Sequence, residues 1–410
     1  MSGFVKEARS IEDCLNFVTD SLGFPWEAPS RVERVVDALY ALSSVDVPSP
    51  EPYPPFTRSI RDGYALNHLN TTGASASSPV FLKFTGEIAM GSAPSIRLAM
   101  DETVSIPTGG MLPDGADSVV MAENTSLSGG WVEIRSPVRR GENVLSAAEE
   151  IASGDILLRK GEMIDRAVPG LLASFGITSV SVIDMRVGVI STGDEIVPAE
   201  TPRLQNGSIR DANTSTVKSI LKRYGMLSTA YGIASDCWEE IRTLAGKAIR
   251  ERDVVLISGG SSVGARDQTA RLIDEFSDSG PLVRGINMTP GKPTLIGGSK
   301  ERKKLIIGLP GHPLSCLVSS IFVALPLINA MCGLGGRDVG KYCVFPLAED
   351  VPGRTGPDEF IPAMIGRDGV CPLAAKSGYV SAMRHADGFI RLRPDTETLR
   401  KGELAEVWLW

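Results

Sequence analysis

Three short stretches hold the residue types that bind anions and metal ions. Thr192-Gly193-Asp194-Glu195 follows the apolar run Val187–Ile190. Gly259, Gly260, Ser261, Ser262 and Gly264, with Asp267 three residues on, follow Asp253–Ser258. Pro310-Gly311-His312-Pro313 follows Lys304–Ile307. Glycines let backbone N–H groups approach an anion, and a following helix start adds its positive dipole. Pro313 suits the first position of such a helix, where its missing N–H costs nothing. Asp194, Glu195 and Asp267 have the chemistry for magnesium, which is commonly held by one or two carboxylates plus phosphate oxygens of the substrate. Lys292, in Thr289-Pro290-Gly291-Lys292-Pro293, offsets phosphate charge. The set describes an enzyme acting on a phosphorylated small molecule.

Each signal has a plainer reading by itself. A Gly-Gly pair is often only a connection, and Asp194 or Asp267 alone could cap a helix. Asp236 with Glu239 forms a D-x-x-E capping box ahead of an apolar helix face and is read as a cap. His312 is read as a helix-entry residue rather than an acid–base group. The argument for a site is convergence, because all three stretches sit where apolar strands end, and open α/β sheets bind ligands beyond the carboxyl ends of their strands.

The elements that must position these loops alternate in type. Val187–Ile190, Thr229–Ile233, Asp253–Ser258, Thr294–Gly297 and Lys304–Ile307 read as strands. Asn213–Tyr224, Cys237–Arg250 and a segment near Gln268–Phe276 show helical apolar spacing. The alternation gives a mostly parallel sheet covered on both faces, a Rossmann-like α/β module. Leu314–Gly335 carries no charge and is about long enough to span a bilayer. Its serines, asparagine and internal proline make it a helix buried in the module, with no membrane role.

At 410 residues the chain holds several domains. Residues 1–50 look helical over Ile11–Thr19 and Val32–Leu42, and Pro48–Pro55 forms a stiff link. With residues 140–184 this segment makes an interrupted N-terminal domain. Residues 51–139 are β-rich, 185–335 form the α/β catalytic domain, and 336–410 form a small C-terminal β domain. A net charge of −7 argues against nucleic acid as the main partner. The six cysteines are scattered with no C-x-x-C pair and only three histidines accompany them, which argues against a structural zinc site and fits a reducing cytoplasm. The first residues, MSGFVKEARSIEDCLNFV, carry acids and no unbroken apolar core, unlike a signal peptide.

The chain resembles the molybdopterin molybdenumtransferase family, of the MoeA and gephyrin E-domain type. The resemblance rests on Arg58-Ser59-Ile60-Arg61-Asp62-Gly63-Tyr64-Ala65, Ile106-Pro107-Thr108-Gly109, Arg140-Gly141-Glu142-Asn143, Val189–Glu195, Ser258–Asp267, Pro290-Gly291-Lys292-Pro293 and Gly308–Ser315, in that order. It implies an elongated four-part subunit, a homodimer, and insertion of molybdate (or tungstate) into adenylylated molybdopterin with magnesium-dependent release of AMP. By position it implies catalytic roles for Asp62, Glu195, Asp267 and Lys292, and metal binding by Asp194, Glu195 and Asp267. Thr108, Thr192, Gly193, Gly259, Gly260, Ser261, Pro310, Gly311 and Pro313 would bind the nucleotide-pterin, with Asp62 and Thr108 reaching the partner subunit's cleft. The pterin supplies the dithiolene sulfurs, so no reactive cysteine is required.

Three positions depart from the family pattern. Thr289 stands where Lys or Arg is frequent, His312 where Asn is common, and Glu150 where Asp is frequent. They leave the choice between molybdate and tungstate open. Two other functions compete: a molybdopterin adenylyltransferase-like enzyme, and a non-catalytic cofactor-binding or scaffold paralogue. The Asp62 segment and the terminal β domain favour the molybdenumtransferase over the first. The intact acids and Lys292 favour it over the second.

Overall fold

The computed structural model describes residues 9–259, 263–334, 342–374 and 376–409, without the side chains of residues 263–267. Two compact units emerge. One comprises residues 9–45, 160–166 and 179–409, and the other residues 46–159 and 167–178. Among the described residues the architecture is multidomain α/β plus β.

The first unit is built on a six-stranded sheet. In chain order its strands and helices are β1 (Arg186–Thr192), α1 (Asn213–Arg223), β2 (Leu227–Ala234), α2 (Trp238–Glu251), β3 (Val254–Ser258), α3 (Val263–Phe276), β4 (Val283–Arg284), β5 (Leu295–Ser299), β6 (Lys304–Leu309) and α4 (Pro313–Met331). The sheet order is β2-β1-β3-β6-β5-β4, with the first four strands parallel and the last two added antiparallel. Alternate residues go to opposite faces, as the two-residue period of a strand requires. Val187, Val189, Val254 and Leu256 face α1 and α4. Ile190, Val255 and Ile257 face α2 and α3. Burial on both faces explains why these strands read as continuous apolar runs.

Helix α4 is the uncharged segment of the sequence, and 83% of its most apolar stretch is buried inside the protein. Its middle, Ser320–Ala324, is π-helical. Pro326 lies just beyond, and its ring and missing N–H disrupt the regular α ladder one turn back, which the wider turn accommodates. The N-terminal helix Ile11–Leu22 packs against α4 through the shared core of Cys14, Val18 and Leu22. Ser10 caps that helix by accepting from the Asp13 N–H at 3.1 Å.

The C-terminal sheet docks on α4 by aromatic packing. Phe322 stacks on Phe360 with ring centroids 4.0 Å apart, and meets Phe389 and Trp408 edge-on. Strand order in this sheet is Met288–Thr289, Asp358–Gly366, Gly388–Leu392, Leu404–Leu409, Tyr342–Pro346. Arg391 adds an ion pair to the buried Asp358 at 2.8 Å.

One expected helix is a strand. The segment Val32–Leu42 has helical apolar spacing, yet Ser30–Arg34 pairs antiparallel with Ser179–Ile183, and turns follow. A helix there would need its spaced apolar face covered, but Val32, Val36 and Leu39 are exposed. Backbone pairing with a distant strand outweighs the weak local preference.

The second unit centres on a six-stranded sheet in the order Ser118–Met121, Gly63–Leu66, Glu102–Ile106, Val80–Glu87, Trp131–Ile134, Thr125–Ser128. Its cores form around Val104, Ile106 and Val119 on one side, and Leu66, Val120 and Ile134 on the other.

Phe360→Ala removes the ring stacked on α4. It should lower the unfolding free energy by about 3–5 kcal/mol in urea denaturation, as large-to-small core changes of an aromatic do. An unchanged denaturation midpoint would show that the aromatic contact does not hold the sheet.

Candidate functional site

The parallel strands β1, β3 and β6 end side by side. The order β2-β1-β3 reverses between β1 and β3, the kind of switch point where the loops diverge and leave a crevice. Two of these strands approach unusually closely at their ends. Gly259 has φ of +155°, and a Cβ on it would sit 1.9 Å from Thr192 Oγ1, so only glycine fits. Gly193, with φ of +144°, makes the corresponding turn after β1.

A cavity of about 330 Å³ opens above these ends, lined by Thr192, Glu195, Asp211, Gly259, Gly311 and Pro313 among others. Asn213 and His312 complete part of its wall. His312 is the residue before the first turn of α4, and Pro313 is the first helical residue. Pro310 is buried and does not line the cavity. Leu314 N–H donates to the Ser377 carbonyl at 3.0 Å, which brings a loop of the C-terminal part to the helix start.

Acids gather on one side. Asp194 Oδ1 accepts from the Asp236 N–H at 2.9 Å. Burial raises the Asp236 carboxyl above its ordinary range, and the charges of Asp194 and Glu195 raise it further. Asp236 Oδ1 is buried with no hydrogen-bond partner among the described residues. Unpaired negative charge of this kind fits a divalent cation. Among the described residues no three His, Cys, Asp or Glu side chains form a complete ligand set.

Sequence reasoning assigned Asp236 to a capping box with Glu239. The structure corrects this: the N-cap position is Cys237 with no side-chain cap bond, and Glu240 instead accepts from the Ser235 N–H and hydroxyl at 3.2 and 2.6 Å. Asp236 is thereby left free to join the acid cluster. Gln268, one residue after Asp267 on α3, donates to the Asp236 carbonyl at 2.5 Å and ties that helix to the cluster.

The expected site residues are thus distributed. Thr192, Glu195, Gly259, Gly311 and Pro313 share one cavity. Gly193 and Asp194 line an adjoining cleft of about 620 Å³ with Asp211 and Thr214. Gly260, Ser261 and the Asp267 side chain fall outside the described residues. Lys292 is exposed on the turn before β5 and does not line the 330 Å³ cavity. Thr289 instead lines a separate cavity of about 600 Å³ with Arg354, Lys376 and Ser377.

Asp62 and Thr108 belong to the second unit and are joined there. Asp62 Oδ1 accepts from the Thr108 N–H at 2.7 Å and from its hydroxyl at 3.0 Å. These two bonds hold the Asp62 carboxyl below its usual range, the backbone bond most. Cys316, beneath the cleft, is a buried thiol pushed up to about 12 by desolvation and is chemically inert at neutral pH.

The comparisons with known proteins agree along the chain. Residues 5–176 match the MoeA N-terminal region (domain I and II). Residues 188–330 match the probable molybdopterin binding domain of molybdenum cofactor biosynthesis proteins, and residues 345–410 the MoeA C-terminal region (domain IV). A protein of Methanocaldococcus jannaschii named for molybdopterin biosynthesis is 30% identical, covering 99% of each chain. The molybdopterin molybdenumtransferase of Staphylococcus epidermidis is 29% identical over 91% of this chain and 89% of its own. The crystal structure of the molybdopterin biosynthesis MoeA protein from Pyrococcus horikoshii is 34% identical, with a TM-score of 0.78 over 98% of this chain and 99% of its own.

The raised Asp236 carboxyl has a stability consequence. Its charged form is disfavoured in the folded chain, so stability falls as pH rises from the ordinary carboxylate range, about pH 4, into the raised range. Asp236→Asn should therefore melt at a higher temperature than the parent at about pH 7 in chelator, with the difference closing toward about pH 4. Scanning calorimetry across pH checks this; a lower melting temperature for the variant throughout would refute it.

Proposed function

The chain belongs to the MoeA family of molybdenum cofactor biosynthesis, and on that footing we propose a specific reaction for the strand-end cleft. The protein is an enzyme, a molybdopterin molybdenumtransferase. The finer reading is that it inserts molybdate, or tungstate, into adenylylated molybdopterin with magnesium-dependent release of AMP. The observation that carries it is the meeting of anion-binding loops with an acid cluster at a sheet switch point.

The chain's own residues divide the work. The glycine-rich loops of Gly193, Gly259, Gly260, Ser261 and Gly311, with the start of α4, would receive the phosphate, the Gly193 and Gly259 N–H groups themselves being bonded to the Ala234 and Leu309 carbonyls. Thr192 and Pro313 shape the wall against the nucleotide-pterin. Asp194 and Glu195, with Asp267, would hold magnesium, and Asp236 adds a fourth carboxyl beside them. Magnesium, when bound, supplies charge stabilisation to the phosphate oxygens of the departing AMP. Lys292 contributes positive charge to the anion path from the turn before β5. Asp62 presents Thr108 in a fixed orientation, and both serve the cleft of the partner subunit of a homodimer.

The same proposal keeps the Rossmann-like description of residues 185–335. It also keeps the four-part division: 1–50 with 140–184, 51–139, 185–335 and 336–410. A cytoplasmic location goes with it, since all six cysteines are free thiols.

Purified protein given adenylylated molybdopterin, magnesium and molybdate should release AMP, read by chromatography. Asp267→Ala should cut that release by about a hundred-fold or more while the fold persists. Binding of the adenylylated pterin without AMP release would turn the reading to a cofactor-holding scaffold. Mixed dimers of Asp62→Ala and Asp267→Ala subunits should regain about one working cleft per dimer. No recovery on mixing would mean that each cleft is built within one subunit.

A further inference from the structure

The sheet ladder fixes β3 against β6 up to Ser258 and Leu309, and the last bond is the Gly259 N–H to the Leu309 carbonyl at 3.3 Å. Beyond that point nothing in the ladder sets the spacing of the two loops. One side chain does. Asn213, the first residue of α1, is 9% exposed. Its Nδ2 donates to Ser258 Oγ and to the Gly311 carbonyl, both at 2.7 Å. A carbonyl can only accept, so the Gly311 bond fixes the amide with its nitrogen toward the loops. Its Oδ1 is then buried with no donor among the described residues.

The neighbouring residue completes the link. Thr214 Oγ1 meets Ser191 Oγ at 3.0 Å near the end of β1, and the Thr214 N–H donates to Asp211 Oδ1 at 3.0 Å. One helical turn therefore touches the ends of β1 and β3 and the loop after β6.

We propose that Asn213 is a positioning residue for the transfer reaction: its amide clamps the Ser258-Gly259 loop to the Gly311-His312-Pro313 turn, setting the separation at which both face one bound phosphate. The inference rests on the functional reading above. Two features separate this role from ordinary packing. The strands are already registered without the amide, so it adds nothing to the sheet. A structural polar group is also normally satisfied on every side, whereas Asn213 Oδ1 at the cavity wall has no partner among the described residues.

Asn213→Asp has the same shape but loses the donor when ionised. Its carboxylate would face the Gly311 carbonyl, and burial with Asp211 nearby would hold its pKa up. Glu195, Arg210 and His312 share the cavity wall with Asn213, and the inert Cys316 thiol lies beside Ser258. At about pH 8 the variant should lose about ten-fold or more in kcat for AMP release, with KM for adenylylated molybdopterin changed far less. The deficit relative to the parent enzyme should shrink toward about pH 6, as the protonated carboxyl again donates. Asn213→Ala should show the loss without recovery at low pH. Hydrogen exchange gives a readout independent of turnover: the Gly259 amide should exchange faster in Asn213→Ala while the amides of β3 and β6 stay protected. Parent-like kcat at about pH 8, or unchanged exchange at Gly259, would overturn the role of Asn213. A parent enzyme that releases no AMP would instead count against the reaction, and the exchange experiment would still decide the clamp.

Discussion

Everything in the first unit leans on the burial of one uncharged helix. α4 covers a face of the parallel sheet, packs against the N-terminal helix, and carries the aromatic seat of the C-terminal sheet. Its first turn also closes the ligand cleft. A charge anywhere along its buried length would have to be desolvated without a partner, a cost of several kcal/mol. That constraint explains a composition which, taken alone, looks like a membrane span. The π-helical turn before Pro326 shows the same constraint acting on the backbone, because the freed polar groups must be satisfied inside the protein.

The cleft poses the opposite electrostatic problem. Asp194, Glu195 and Asp236 bring negative charge to a cleft that, in the proposed reaction, would also receive phosphate. The positive end of α4 would offset part of that charge, and a bound cation would supply the rest. In the chain by itself the tension is recorded at Asp236, whose carboxyl resists ionisation. Asp62 is the reverse case: two donors from Thr108 hold its charge in place.

What the sequence made legible follows physical scale. Buried parallel strands announce themselves because both faces are apolar, so β1, β3 and β6 and the loops after them could be read directly. Amphipathic helices α1 and α2 were legible for the matching reason. Ser30–Arg34 was not, because its pairing partner lies far along the chain while its local spacing suits a helix. Asp236 was misread because a capping pattern is a local signal, and the charges of Asp194 and Glu195 that define its environment are remote in sequence. Asn213 gave no signal beyond a helix start; its importance lies in the two loops it touches, which only the fold brings together.

The shared helix has a thermodynamic corollary. The start of α4 borders the cleft, and its middle seats Phe360 and Phe389, so one helix serves both places. An occupant that bound more tightly with the C-terminal sheet docked would in turn strengthen that docking. Linkage of this kind is reciprocal by necessity. The C-terminal part thus meets the cleft in two ways, through the aromatic seat on α4 and directly through Gly378 and Val380 in the cavity wall.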